Sequence, residues 1–243
     1  MCIRDSIIVV TSDSRGSGKL VPFGKELPDQ IIEVGIAEQN LVGVSAGLAA
    51  GGKIVFGVSP ASFLTARSLE QIKNDVAYSN CNVTLIGISA GISYGQLGST
   101  HHSIHDFATL RTINNMTIVA PADNFEASEV IKQAVSYNQP LYIRYGKKPM
   151  MDIHPPGTKF KIGKSILVKK GEDLTIIATG ETLQRAYLAY EILKENNIHC
   201  SIISMHTIKP FDKDTFLEFS KNSKAILTLS LIHISEPTRR KRI

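Results

Sequence analysis

The chain has 243 residues, 43% hydrophobic and 20% charged, a composition for one large or two modest folded domains rather than a disordered chain. Its three cysteines lack the paired spacing of a disulfide framework or a zinc site, no apolar run is long enough to span a bilayer, and no secretory signal is visible, so a reducing cytoplasm is the expected setting. The net charge of +5 is mostly terminal, because residues 229–243 carry Arg239, Arg240, Lys241 and Arg242 against Glu236, and the remainder argues for neither nucleic acid nor membrane as a partner.

In chain order, Ile7–Val10 reads as a short buried strand and 11–25, polar and Gly-rich, as a loop. A second strand is expected at Ile31–Val34 and a helix at Ala37–Ala50, stopped by Gly51 and Gly52. A strand at Ile54–Phe56 precedes a helix over Ala61–Tyr78, where Leu64, Leu69, Ile72 and Val76 fall near helical spacing. Val83–Ser89 reads as a fully buried strand, followed by a long loop rich in Gly, Ser and His over Ala90–His105 and a helix over His105–Ile113. A strand at Met116–Ala120, a helix at Phe125–Tyr137 and a strand at Leu141–Tyr145 complete this half. Strands alternating with helices, most of them apolar on both faces, predict a parallel α/β sheet.

The stretch 149–163, with Pro149, Pro155 and Pro156, reads as a linker between a first domain at 7–148 and a second, partial α/β domain at 164–228. In the second, strands are expected at Asp173–Gly180, His199–Ser204 and Ala225–Thr228, with helices at Thr182–Asn196 and Asp212–Phe219. Residues 1–6 and 229–243 resemble translated sequencing-adapter remnants, which would make the chain an internal fragment of a longer protein.

Ligands of open α/β sheets bind beyond the carboxyl ends of the strands. Three features are expected there: Glu38, the stretch Ser59–Arg67, and the loop Tyr94–Asp106. Glu38 is the one carboxylate of an otherwise apolar helix, either favouring the helix dipole or serving chemistry. His101, His102 and His105 suggest a metal site, but no Glu follows His101 to complete a zincin pattern. A nucleophilic triad is unsupported, because no Gly-x-Ser-x-Gly elbow is present.

Taken together, Gly35-Ile36-Ala37-Glu38-Gln39-Asn40, the Phe63 segment, Gly98-Ser99-Thr100-His101-His102 and the run Leu110–Asp123 resemble the pyrimidine-binding domain of the transketolase family. The second domain resembles the transketolase C-terminal domain, and the likeness, from Ile7 to Thr228, is closest to the separately encoded C-terminal subunit of split transketolases. The resemblance implies a thiamine diphosphate enzyme in which Glu38 bonds the ring nitrogen N1′ of the aminopyrimidine, promoting formation of the ylide that attacks a ketose. It implies that Phe63 stacks on the pyrimidine and that His101 contacts substrate oxygens beside the reacting carbon, with His102 nearby. Arg67 and Arg144 are candidates for a substrate phosphate, with Lys147 as a further cation. Asp123 and Gln133 read as structural.

One departure concerns the substrate. Ordinary transketolases carry Gly-Glu-Asp-Gly before the Thr-His pair, whereas this chain has Tyr94-Gly95-Gln96-Leu97-Gly98. Leu97 replaces the Asp that reads a sugar hydroxyl, so a sugar different near the reacting carbon, such as branched apulose 4-phosphate, is expected. The Gly-Asp-Gly motif that holds Mg²⁺ and diphosphate in the family is absent from the sequence. Mg²⁺ is therefore expected on an N-terminal, diphosphate-binding partner subunit, in a heterotetramer that acts on sugar phosphates. The rival readings are a 2-oxoacid dehydrogenase E1 β-type subunit, a deoxyxylulose-phosphate synthase-type subunit, and a non-catalytic subunit that keeps the fold.

Overall fold

A computed structural model describes residues 6–230; the basic run Arg239–Arg242 and most of both suspected remnants lie outside the described residues. The first half runs β1 (Ile7–Thr11), α1 (Val21–Glu26), β2 (Ile31–Glu33), α2 (Glu38–Ala50), β3 (Ile54–Pro60), α3 (Ala61–Arg67), β4 (Val83–Ile88), α4 (Asp106–Arg111), β5 (Thr117–Val119), α5 (Asn124–Ala134) and β6 (Leu141–Arg144). The second runs β7 (Ile166–Lys169), β8 (Leu174–Ala178), α6 (Thr182–Glu195), β9 (Cys200–Ser204), β10 (Thr207–Lys209), α7 (Lys213–Asn222) and β11 (Ala225–Leu229). No helix among the described residues is long and apolar enough to cross a membrane.

The expected α/β class holds. Seven strands form one sheet in the order β10-β5-β6-β4-β3-β1-β2, parallel throughout except for β10 against β5. A second sheet, β11-β8-β9-β7, is parallel except at β7. β4 lies near the middle of the large sheet with every residue buried, which is why it reads as an unbroken aliphatic run. One core, with Leu41, Leu64, Ile72, Leu85 and Ile118, packs one face; another, with Phe56, Ile86, Val130 and Ile143, packs the other.

Several elements depart from the sequence reading. α2 starts at Glu38, one residue later than expected, and Ala37 before it offers no side-chain cap. The expected helix over 61–78 breaks at Ser68 and resumes as a turn, Leu69–Gln71, and a π-helix, Ile72–Tyr78. The stretch read as a loop runs into α1, which has Pro22 in its first turn, where a missing N–H costs nothing, and buries no residue, so it carries no apolar period. Leu229, read as part of a remnant, pairs in β11 with Ala178.

The two halves are not simply beads on a linker. β10 belongs by sequence to the second half yet pairs with β5 of the first, and the Lys209 ammonium donates to the carbonyls of Arg111 and Ile113. Asp123 caps α5, accepting from the Glu126 N–H at 2.9 Å, and also holds His154 of the connecting segment at 2.7 Å. Glu126 reaches back to the Ala122 N–H at 2.7 Å and accepts from Ser204 of β9 at 2.6 Å. Burial works against charge on His154, but its hydrogen bonds to Asp123 and Glu126 prevail and raise its pKa to about 9. The same pairing outweighs burial at Asp123 and brings its pKa down to about 2. Gln133 binds the Phe160 carbonyl and the Ile162 N–H, a structural role like that of Asp123.

Candidate active site

The site is built where β2, β3 and β4 end. After β2 the chain turns through Gly35, whose φ of 72° suits a residue without Cβ, and enters α2 at Glu38. β3 runs directly into α3, which carries Phe63 and ends at Arg67. β4 is followed directly by Ser89, a buried non-glycine residue at φ 54°, and the histidine loop begins there. Such backbone conformations persist where the surroundings over-determine them. Because β3 and β4 are neighbours in the sheet, the segments that follow them meet.

Glu38 is 3% exposed, and Arg67, 48% exposed at the side chain, holds both its oxygens from one nitrogen, Nη1, at 3.0 and 2.9 Å. The same guanidinium lies over the Phe63 ring, 4.3 Å from its centroid. On another side Phe63 meets His101 edge to face at 5.1 Å, and His101 meets Tyr94 likewise at 5.2 Å. Lys147 sits over the Tyr94 ring at 4.2 Å. The result is a row of rings, Phe63–His101–Tyr94, with a cation on each outer member.

The histidines differ in employment. His101 Nδ1 lies 3.0 Å from the Thr100 hydroxyl. His102 Nε2 donates to the Gly95 carbonyl at 3.2 Å, which fixes its tautomer when neutral. The Thr65 hydroxyl donates to the Ala61 carbonyl, so at 3.2 Å it accepts from His105 Nε2, tying the loop to α3. Among the described residues no three His, Cys, Asp or Glu side chains are grouped to hold a metal ion.

Two clefts open here. One, of about 680 Å³, is lined by Ile36, Glu38, Asn40 and Arg67; the other, of about 470 Å³, by Phe63, Arg67, Thr100, His102 and His105. Arg67 lines both.

The structure thus brings Glu38, Phe63, Arg67, His101 and His102 into one neighbourhood. Leu97, 53% exposed on a 3₁₀ turn, Gly95–Leu97, lines neither of the two clefts. Arg144 departs from the reading that it faces a phosphate. Its Nε donates to Asp106 at 2.7 Å, the two side chains 6% and 0% exposed, and its guanidinium lies over Phe107. Tyr142 donates to the same Asp106 oxygen at 3.0 Å, and Arg144 Nη2 reaches the Ser103 carbonyl at 3.4 Å. Arg144 therefore anchors the base of the histidine loop. Asp106 was missed as its partner, although an Arg ending a buried strand requires a carboxylate nearby. Tyr94 was also missed, because nothing in its spacing shows which ring it will meet.

Comparison with known proteins agrees with this architecture. The description "Transketolase, pyrimidine binding domain" matches residues 1–151, and "Transketolase, C-terminal domain" matches residues 163–230. The chain is 46% identical to one of the subunits of an apulose-4-phosphate transketolase from Phocaeicola vulgatus, over 92% of this chain and 72% of that protein. It is 37% identical to a 1-deoxy-D-xylulose-5-phosphate synthase of Clostridium perfringens, over 93% of this chain but 36% of the synthase. Among solved structures, a split-gene transketolase described as an inactive β4 tetramer superimposes with a TM-score of 0.83 at 32% identity, covering 92% of this chain and 72% of that one. With both domain descriptions in order along one chain, and with close relatives that are separate subunits, this protein belongs to the transketolase family and corresponds to its separately encoded C-terminal subunit.

Proposed function

We propose that this chain is the pyrimidine-side subunit of a split thiamine diphosphate-dependent transketolase, moving a two-carbon ketol unit between sugar phosphates. The observation that carries the reading is the buried Glu38 carboxylate beside the Phe63 ring, at the carboxyl end of a parallel sheet. The slot fits the cofactor's aminopyrimidine: it already accepts a flat, cationic, amidine-like group, the Arg67 guanidinium, on the ring face and against the carboxylate. When bound, thiamine diphosphate supplies the nucleophilic carbon that side chains lack.

Glu38, buried at the carboxyl end of the sheet, would hold a proton at the pyrimidine ring nitrogen. Phe63 fixes the ring plane. His101, wedged between Phe63 and Tyr94, orients toward substrate oxygens, and His102 lines the same cleft. Arg67 supplies a cation for the substrate phosphate, its side chain half exposed at the join of the two clefts. Leu97, apolar where ordinary transketolases carry Asp, supports a branched donor or acceptor such as apulose 4-phosphate, the sugar in the name of the 46%-identical relative.

Mg²⁺ and the diphosphate belong on an N-terminal partner subunit, in a cytoplasmic heterotetramer, and this chain by itself is inactive. The solved split-gene relative, a β4 tetramer described as inactive, supports that view. The synthase-type reading retains a specific basis in the 37% match. Offering the reconstituted complex pyruvate against a ketose phosphate as donor separates the two. The direct test is Glu38→Gln in that complex, where removal of one acid–base group should cut ketol transfer by about 10²–10⁴-fold. Turnover at the parent rate would refute the assignment.

A further inference from the structure

Arg67 is the residue shared by both clefts, and its position carries a consequence for how the site fills. Its guanidinium makes two contacts at once, the carboxylate of Glu38 and the face of Phe63. These are the two contacts assigned above to the aminopyrimidine, so the inference rests on that functional reading. A guanidinium is a planar amidinium that stacks on aromatic rings and pairs with carboxylates through its N–H edge. An aminopyrimidine is a planar ring with a basic nitrogen and an exocyclic amine conjugated in the same plane. Two such groups do not fit between one ring face and one buried carboxylate.

We infer that Arg67 is a built-in occupant of the pyrimidine seat: its guanidinium and the cofactor's aminopyrimidine compete for the Glu38–Phe63 slot, and displacement turns Arg67 toward the adjoining cleft, where its charge becomes available to the substrate phosphate. Cofactor arrival and readiness for a phosphorylated sugar are thereby coupled through one side chain. The geometry supports mobility as well as occupancy. Arg67 is the last residue of α3, its side chain is 48% exposed, and the cleft of about 470 Å³ that it would enter is lined by Thr100, His102 and His105. Glu38, at 3% exposed, stays in place. An internal competitor that occupies the slot about ten times out of eleven raises the apparent dissociation constant of the cofactor about tenfold.

The test uses the complex of the full chain with its diphosphate-binding partner subunit. Thiamine diphosphate is titrated by calorimetry at saturating Mg²⁺ into the parent, Arg67→Ala and Arg67→Lys complexes. Arg67→Ala should tighten cofactor binding about tenfold while raising KM for the ketose phosphate. Arg67→Lys, which keeps the charge but not the flat fork, should also tighten cofactor binding and should keep KM nearer the parent value. Guanidinium chloride at tens of millimolar should weaken cofactor binding to Arg67→Ala back toward the parent affinity, with equal potassium chloride as the control. Cofactor binding to Arg67→Ala that is unchanged or weaker, or a gain that guanidinium does not reverse, overturns the competition. If Glu38→Gln abolishes ketol transfer while Arg67→Ala leaves cofactor affinity unchanged, the competition fails and the functional reading stands. If the parent complex binds no thiamine diphosphate, both fail.

Discussion

Replacing Asp106 with Asn tests the support beneath the histidine loop. Asp106 accepts from Arg144 Nε at 2.7 Å, from the Tyr142 hydroxyl at 3.0 Å and from the Phe107 N–H at 3.0 Å. Neither charged side chain has water to fall back on, with 6% exposure at Arg144 and none at Asp106. Burial, and then the Asp106 charge, push the Tyr142 hydroxyl well above its usual pKa, so the tyrosine stays a donor. Asn keeps the shape but offers an amide that turns N–H either toward the Phe107 N–H or toward both Arg144 and Tyr142, and leaves Arg144 buried without a counter-charge. Breaking one side of a buried pair costs about 3–5 kcal/mol. Urea unfolding followed by circular dichroism should show a loss of that size. Hydrogen exchange should accelerate at the Gly91 and Ser103 amides, because Arg144 also reaches the Ser103 carbonyl and Gly91 bridges to Ser103. A loss below about 1 kcal/mol, the worth of an ordinary neutral hydrogen bond, would refute the reasoning.

Gly87→Ala should destabilise by about 1–3 kcal/mol, since a Cβ there overlaps the Tyr142 ring and hydroxyl in a packed core; an unchanged thermal midpoint would show that Tyr142 moves aside freely. The His154 contribution to stability is complete below pH 6.5 and is lost as pH rises through about 9, because its folded pKa is raised. His206, whose pKa burial lowers to about 4, contributes above pH 6.5 and loses that contribution as pH falls toward 4. Thermal midpoints should therefore peak between these limbs, and His154→Gln should flatten the alkaline one. Leu97→Asp should shift kcat/KM from a branched toward an unbranched ketose phosphate, and an unaltered ratio would remove Leu97 from the account of specificity.

Much of the large sheet was legible because β4 and β6 are buried on both faces and leave an uninterrupted apolar signature. The elements that escaped lack such a signature. α1 buries nothing, β7 is a partly exposed strand, and β10 exists only because it pairs with β5, some ninety residues earlier. The site divides in the same way. Glu38 stood out as the one carboxylate of an otherwise apolar helix, and Phe63 through the family resemblance of its segment. Arg144 and Arg67 looked equivalent in sequence, yet Arg144 is buried with Asp106, whereas Arg67 stays half exposed while holding the buried Glu38. Which carboxylate an arginine meets is decided by the fold, not by its own neighbours in the chain.

The crossing of β10 onto the first sheet bears on how the protein can be cut. Trimming at the proline-rich connector would strip Thr207–Lys209 from Ile118 and Val119 and bare a hydrophobic row of unpaired amides and carbonyls. Such a row invites intermolecular sticking. A soluble excised first domain would need to carry Lys209 with it, or bear a charged residue on the uncovered rim.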